Sequence, residues 1–256
     1  MKKHKVGIRF ALALLGGLLV GGVLGFGAAV GRDALGAGFI AAQRFLQQNA
    51  LWALLLCALA ALSVAWAQYA AGRRHAAAAL AGDGEENEAA FERADRCYAA
   101  AMSAVGILNV ASFTLYGVGM SGFSSVVALE QGAGRLLALT AVFMALVFGC
   151  IYLQSRFVRA TKELYPEKRG SVLDSRFQKQ WYDSCDEAEQ RQVGEASYRA
   201  LQAEGRAILL LFVVLMILGL VLDLGMTPVL VLGTLWMVQA VSYQRAARQT
   251  GQDKRG

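Results

Sequence analysis

The chain carries apolar runs close to 20 residues long. A helix rising about 1.5 Å per residue needs about 20 such residues to cross the roughly 30 Å hydrocarbon core of a bilayer. Six stretches meet that length: 10–30, 51–70, 99–118, 136–153, 208–224 and 227–243. The last is the weakest, with Pro228 at its start and Gln239 near its end. Composition agrees, because 56% of the 256 residues are apolar and only 17% are charged, against about 25% in a soluble domain. With 28 Gly, 2 Pro and 4 Cys, the chain also lacks the make-up of a collagen, a disordered tail or a disulfide scaffold. The pattern predicts an all-α fold, a six-span transmembrane helical bundle of three hairpins with a cytoplasmic helical extension.

The net charge of +6 does not by itself choose between nucleic acid and a membrane surface, so the placement of the cations decides. Cytoplasmic loops retain Lys and Arg while short translocated loops avoid them. With the N-terminus inside and six spans, the inner segments hold 22 of the 25 cations and the outer loops hold only Arg32, Arg44 and Arg135. One miscounted helix would invert every later loop and destroy that split. Tyr69, Tyr98, Tyr152 and Tyr243 fall at the predicted inner interfaces, where amphipathic rings are favoured. The expected location is therefore the cell membrane, multi-pass, with both termini cytoplasmic. The first apolar stretch exceeds the 7–15 residues usual for a signal peptide and is read as a retained span. Cys57 and Cys150 lie in spans, and Cys97 and Cys185 on the reducing side, so free thiols are expected.

The organisation follows from the spans. Residues 1–153 form the first two hairpins with a short cytoplasmic helical loop at 71–98, 154–207 a cytoplasmic helical loop, and 208–256 the third hairpin with a basic tail. The first outer loop, 32–49, has apolar residues at helical spacing and is expected to lie along the outer interface. Loop 71–98 reads as helix, break at Gly82-Asp83-Gly84, then a second helix opened by acids and closed by Arg93 and Arg96. The 154–207 segment is too small for a core of its own and should extend the spans or pack on the other inner loop. Ser175 and Gln178 suggest a capping box, followed by Phe177, Trp181, Cys185 and Ala188 on one helical face. Glu187 with Arg191 and Glu195 with Arg199 are favourably oriented pairs on a solvated helix leading into the fifth span.

The stretch Pro166-Glu-Lys-Arg-Gly-Ser-Val-Leu-Asp-Ser-Arg-Phe-Gln-Lys-Gln-Trp-Tyr-Asp-Ser-Cys-Asp-Glu-Ala-Glu189, with acidic residues 83–88 before Ala94-Asp95-Arg96, resembles a bacterial family of multi-pass integral membrane proteins known only as a domain of unknown function. The likeness runs through most of the chain. It implies a bacterial cytoplasmic membrane, no established activity and no functional residue to carry over. Families of this kind are often encoded beside small helix-turn-helix regulators, a hint at signalling.

Gly17, Gly21 and Gly25, continued by Ala13 and Ala29, form a small-residue stripe that reads as a helix-packing face, toward another span or a second copy of the chain. Gly119-Met120-Ser121-Gly122 matches an intramembrane serine-protease signature, yet the only histidines, His4 and His75, fall on the opposite side, so it reads as a loop. No Gly-Lys-Ser/Thr occurs, which excludes a P-loop. Asp183, Cys185, Asp186, Glu187 and Glu189 read as a solvated acidic face rather than a metal site. Intramembrane polar groups are few: Asn109, read as interhelical glue or a cargo ligand, Asp223 and Gln239. Basic clusters hug the inner interface, which points to anionic lipid at the inner leaflet and away from nucleic acid.

These readings predict no enzyme and no cofactor. They predict an interaction or regulatory protein whose inner unit meets a cytoplasmic protein partner through Lys168, Arg169, Phe177, Trp181 and Asp186. The alternative is a small transporter, export accessory subunit or channel with a path between the hairpins near Asn109 and Asp223.

Overall fold

The computed structural model describes residues 32–81, 85–123, 126–222 and 226–253. The first predicted span with Gly17, Gly21 and Gly25, and Asp223, lie outside the described residues. Among those described there are six helices and no strand: α1 (Arg32–Ala81), α2 (Glu85–Ser121), α3 (Val126–Leu164), α4 (Phe177–Asp183), α5 (Glu187–Leu222) and α6 (Thr227–Asp253). Four helical stretches, Gly36–Ala81, Asn87–Ser121, Gly132–Leu164 and Glu187–Gly219, are long and apolar enough to cross a membrane. They mark the chain as a membrane protein.

The helices run well past the predicted spans. Residues 32–49 are not a separate interfacial element but the first part of α1, which is 50 residues and about 75 Å long. No proline interrupts Ala41-Ala42-Gln43 or Gln47-Gln48-Asn49, and Asn49 turns its amide back onto the Phe45 carbonyl at 2.8 Å, so nothing stops the helix there. Likewise Arg93 and Arg96 do not close a short helix. α2 continues through Ala99-Ala100-Ala101, strong helix formers, and Arg96 instead pairs with Glu92 one turn back at 3.0 Å. α6 begins as expected, with Pro228 in its first turn where no intrahelical N–H is required.

The chain divides into two compact units, 42–191 and 1–41 with 192–256. In the first, α1, α2 and α3 pack around two apolar clusters. One is built on Leu54, Leu139 and Phe143; Tyr116 stacks on Phe143 at 4.1 Å and Phe113 meets it edge-on at 5.0 Å. The other runs from Ala58 and Leu108 through Tyr69, Tyr98 and Phe157 to Ala76, Ala94, Ala160 and Leu164. Tyr69 and Tyr98 are therefore core residues rather than interfacial anchors, whereas Tyr152 and Tyr243 are exposed. Small residues let the backbones approach. A Cβ on Gly119 would stand 2.5 Å from Leu139 and 3.0 Å from Ala50, and one on Gly72 would stand 2.6 Å from the Tyr98 ring. Packing without a hydrophobic drive in lipid requires such closeness.

In the second unit the C-terminal part of α5 meets α6, with Phe212 and Trp236 ring centroids 6.0 Å apart. Gly36 of α1 lies beside Leu222, whose Cδ2 would be 4.0 Å from an added Cβ. The apolar window of α5 is only 6% buried within the chain, so lipid or another protein surface must cover it.

Candidate functional site

The site forms where α3 ends and the chain turns back through α4 into α5. α3 stops at Leu164, one residue before Tyr165-Pro166, a proline-bounded end. The Lys168 amide bonds the Tyr165 carbonyl at 3.1 Å, and the chain reverses at Gly170, whose φ of +103° lies where side chains are rarely tolerated. A Cβ there would also stand 3.0 Å from the Phe177 ring. Lys162 reaches the Gly170 carbonyl and holds the turn against α3. Gly170→Ala is accordingly expected to destabilise this segment by about 1–2 kcal/mol, read as a loss of amide protection over residues 165–191.

The helices that follow start differently from the expected pattern. α4 begins at Phe177 with Arg176 at its cap and no side-chain cap bond, so the Ser175–Gln178 box does not form. Asp174 takes that place: its carboxylate accepts the Arg176 amide at 2.9 Å and the Gln180 amide side chain at 2.8 Å. The backbone bond from Arg176, then the one from Gln180, hold the Asp174 carboxyl below the usual carboxylate range. α4 is only seven residues and ends at Asp183, so Phe177 and Trp181 share a face with ring centroids 5.7 Å apart, but Cys185 and Ala188 lie beyond its end.

The working capping box sits at the next helix. The Asp186 carboxylate accepts the Glu189 amide at 2.8 Å, and the Glu189 carboxylate accepts the Asp186 amide at 3.1 Å. This reciprocal pair starts α5. The same Glu189 oxygen accepts a hydrogen bond from Lys168 Nζ. Lys168, predicted as a contact residue, is thus buried, its side chain 4% exposed; it ties the end of α3 to the start of α5. An ammonium can be buried only beside a carboxylate, and Glu189 supplies it. The fastening is completed by Arg169, whose amide bonds Ser184 Oγ at 3.1 Å, and by Gln190, whose side chain bonds the Cys185 carbonyl at 3.0 Å. Asp186 is exposed but is committed to its cap, Phe177 and Trp181 are half-buried, and Arg169 alone among the five predicted contact residues is open with only its backbone engaged.

Around these residues lies an open cavity of about 810 Å³, lined by Tyr165, Glu167, Lys168, Arg169, Gln180 and the segment from Asp183 to Asp186 with Glu189. Lys168 and Glu189 neutralise each other, so Glu167, Asp183 and Asp186 against Arg169 leave the lining acidic. Burial first, then the charges of Asp95, Glu189, Glu167 and Glu92, push the Tyr165 phenol up to about 12. Burial pulls the Lys168 ammonium down, but its bonds to Glu189 and Cys185 outweigh this and leave it raised. Both folded values lie above the ordinary ones, about 10 for Tyr and 10.4 for Lys, so their stabilising contribution is complete below about pH 10 and fades as pH rises through the folded values. Amide protection over 165–191 should therefore stay level from about pH 6 to 9 and fall only above about pH 10. A loss centred near neutrality would contradict the assignment.

Elsewhere, Asn109 lies on α2 with its Oδ1 buried and without a hydrogen-bond partner among the described residues. Ser121 ends α2, donating to the Val118 carbonyl at 2.7 Å and accepting from the Gln47 amide at 2.9 Å. All four cysteines are free.

Tyr165, Gly170, Asp174, Ser184 and Glu189 also build this site and are not among the five predicted contact residues. Asp186-x-x-Glu189 was itself a capping signature; it was masked by the surrounding acids, which read as a solvated face.

A family model described as a protein of unknown function (DUF3169) matches residues 5–247, nearly the whole chain. The chain belongs to the DUF3169 family. The Lys168–Glu189 fastening and its cavity fall inside the matched region of this DUF3169 member. No curated protein and no solved structure matches the chain.

Proposed function

We propose that this chain is a six-span protein of the bacterial cytoplasmic membrane, with both termini and the 154–207 segment in the cytoplasm, and that it acts as a non-enzymatic interaction or regulatory protein. The one-sided distribution of Lys and Arg supports the topology. The observation that carries the function is the acidic cavity of the 165–189 segment, fastened by the buried Lys168 on half-exposed Glu189 and walled by Glu167, Asp183 and Asp186. A concave surface with surplus carboxylates fits a basic segment of a cytoplasmic protein.

Photo-crosslinking in native membranes tests this. A crosslinker at position 180 should give a discrete protein adduct that Glu167→Lys with Asp183→Lys removes, while one at Tyr198 on exposed α5 should not. Absence of any adduct at 180, or an adduct unchanged by the charge reversals, sinks the reading. Labelling of a thiol at 180 from outside intact cells would sink the topology.

A second reading has its own observation, the buried and unpartnered Oδ1 of Asn109, a polar foothold in an apolar helix. A transporter, export accessory subunit or channel would place its path there. Flux in proteoliposomes that disappears in Asn109→Leu would favour it.

A further inference from the structure

The inner ends of α1 and α3 form a second polar cavity, distinct from the Lys168–Glu189 site. It has a volume of about 610 Å³ and is lined by Arg73, Arg156 and Arg159 with Trp66, Tyr69 and Tyr152 around them. One carboxylate enters it, Glu163, and that is taken by Arg73. Arg156 stands over the Tyr69 ring at 5.6 Å, its Nε 3.4 Å from the Tyr69 hydroxyl. Arg159 bonds only the Ser155 carbonyl on its own helix, at 3.3 Å. Neither Arg156 nor Arg159 has a carboxylate partner among the described residues. Three guanidiniums facing one carboxylate in a concave site repel one another unless an anion joins them. The guanidinium fork pairs bidentately with the oxygens of a phosphate.

The surroundings choose the kind of phosphate. Trp66 and Tyr152, at the cavity rim, are each 57% exposed. Leu59, two turns before Trp66 on the same face of α1, and Phe148, one turn before Tyr152 on α3, are 70% and 68% exposed. Exposed apolar side chains therefore continue from the cavity rim toward the middle of both helices. A free phosphate would use the guanidiniums and leave those side chains uncovered. A phospholipid uses both parts, headgroup above and acyl chains below, with Trp and Tyr at the level where such rings settle. We infer that Arg156 and Arg159, with Arg73, hold the phosphate of an anionic glycerophospholipid whose chains lie along Leu59 and Phe148. This inference rests on reading α1 and α3 as spans with these ends at the inner interface.

The test uses the full chain, purified in detergent, delipidated and back-titrated with phosphatidylglycerol or phosphatidylcholine of identical chains, with bound lipid read by native mass spectrometry. The wild type should retain phosphatidylglycerol preferentially. Arg156→Gln with Arg159→Gln should lower that preference about 30-fold, as expected for two cations beside an anionic headgroup. Arg93→Gln with Lys179→Gln removes the same charge from exposed sites elsewhere and should leave it unchanged. Should the double variant fail to fold, judged by helical circular dichroism, Arg159→Gln alone should still lower the preference about fivefold, since this exposed side chain hydrogen-bonds only a carbonyl of its own helix. Equal retention of both lipids, a preference intact in the arginine variants, or full displacement by millimolar inorganic phosphate would each overturn the assignment. The last outcome would identify a free phosphate site instead. Absence of this preference in the wild type while position 180 stays shielded from outside labelling would dispose of the lipid site and leave the topology standing.

Discussion

Replacing Glu189 by Ala unfastens the segment between α3 and α5: hydrogen exchange over residues 165–191 is expected to accelerate about 100-fold, the equivalent of about 3 kcal/mol. Two losses combine. The Lys168 ammonium, with a side chain only 4% exposed, is left without its carboxylate. Breaking a fully buried pair from one side costs about 3–5 kcal/mol, and the partial exposure of Glu189 places this case below that range, at about 2 kcal/mol. The start of α5 also loses half of its reciprocal cap, typically about 1 kcal/mol. Lys168→Met combined with Glu189→Gln should recover a large part of the loss. No charge is then buried, and Gln can still accept the Asp186 amide from the same helix position. Glu187→Ala, two residues away and exposed, serves as the comparison. If it accelerates exchange as much as Glu189→Ala does, the buried pair is not what holds the segment.

The second large effect is expected in the helix bundle. Gly72→Val should lower the thermal midpoint of the detergent-solubilised protein markedly, with a cost of about 3 kcal/mol, the upper end for overpacking. An added Cβ at Gly72 would lie 2.6 and 2.8 Å from two carbons of the Tyr98 ring and 3.2 Å from the Cys97 Cβ. The ring cannot step aside: it is 2% exposed and meets Tyr69 at 6.0 Å, which in turn meets Phe157 at 5.1 Å. Gly106→Val on α2 is the control, because nothing lies within 4 Å of the added carbon there. Tyr98→Leu should make Gly72→Val less costly, since a smaller side chain frees the occupied volume. Additive losses in the double variant would show that the glycine is needed for a reason other than the approach of Tyr98.

The helical class and the apolar segments could be read from residue order because both depend on local quantities. A run of about 20 apolar residues must be shielded from water whatever surrounds it, and in lipid its backbone must satisfy itself as helix. The helix ends were harder. Ala76, Ala79, Ala90 and Ala94 stand among the charged residues that bound the apolar stretches, yet all are buried, because small side chains let α1 and α2 pack beyond those stretches. Hydropathy measures transfer from water and does not register close approach, so the segment 71–98 reads as a helical connection although one face of it, Ala76, Ala94 and Tyr98, joins the core.

The site at 165–189 was legible in place but not in role. Its most specific stretch, 166–189, coincides with the lining of the larger cavity. Two capping signatures competed there, Ser175-x-x-Gln178 and Asp186-x-x-Glu189, and nothing local ranks one over the other. The turn at Gly170 and the docking of Lys168 onto Glu189 decided for the second, a choice made between residues 21 positions apart. Lysine is charged and so reads as surface; its burial depends entirely on which carboxylate the fold brings to it. What order of residues alone could settle was therefore everything governed by neighbours along the chain: helix, length and apolar character. Which polar side chains face inward, and which of two equivalent caps forms, belonged to the tertiary structure, because desolvating a charge is tolerable only where a distant partner arrives to meet it.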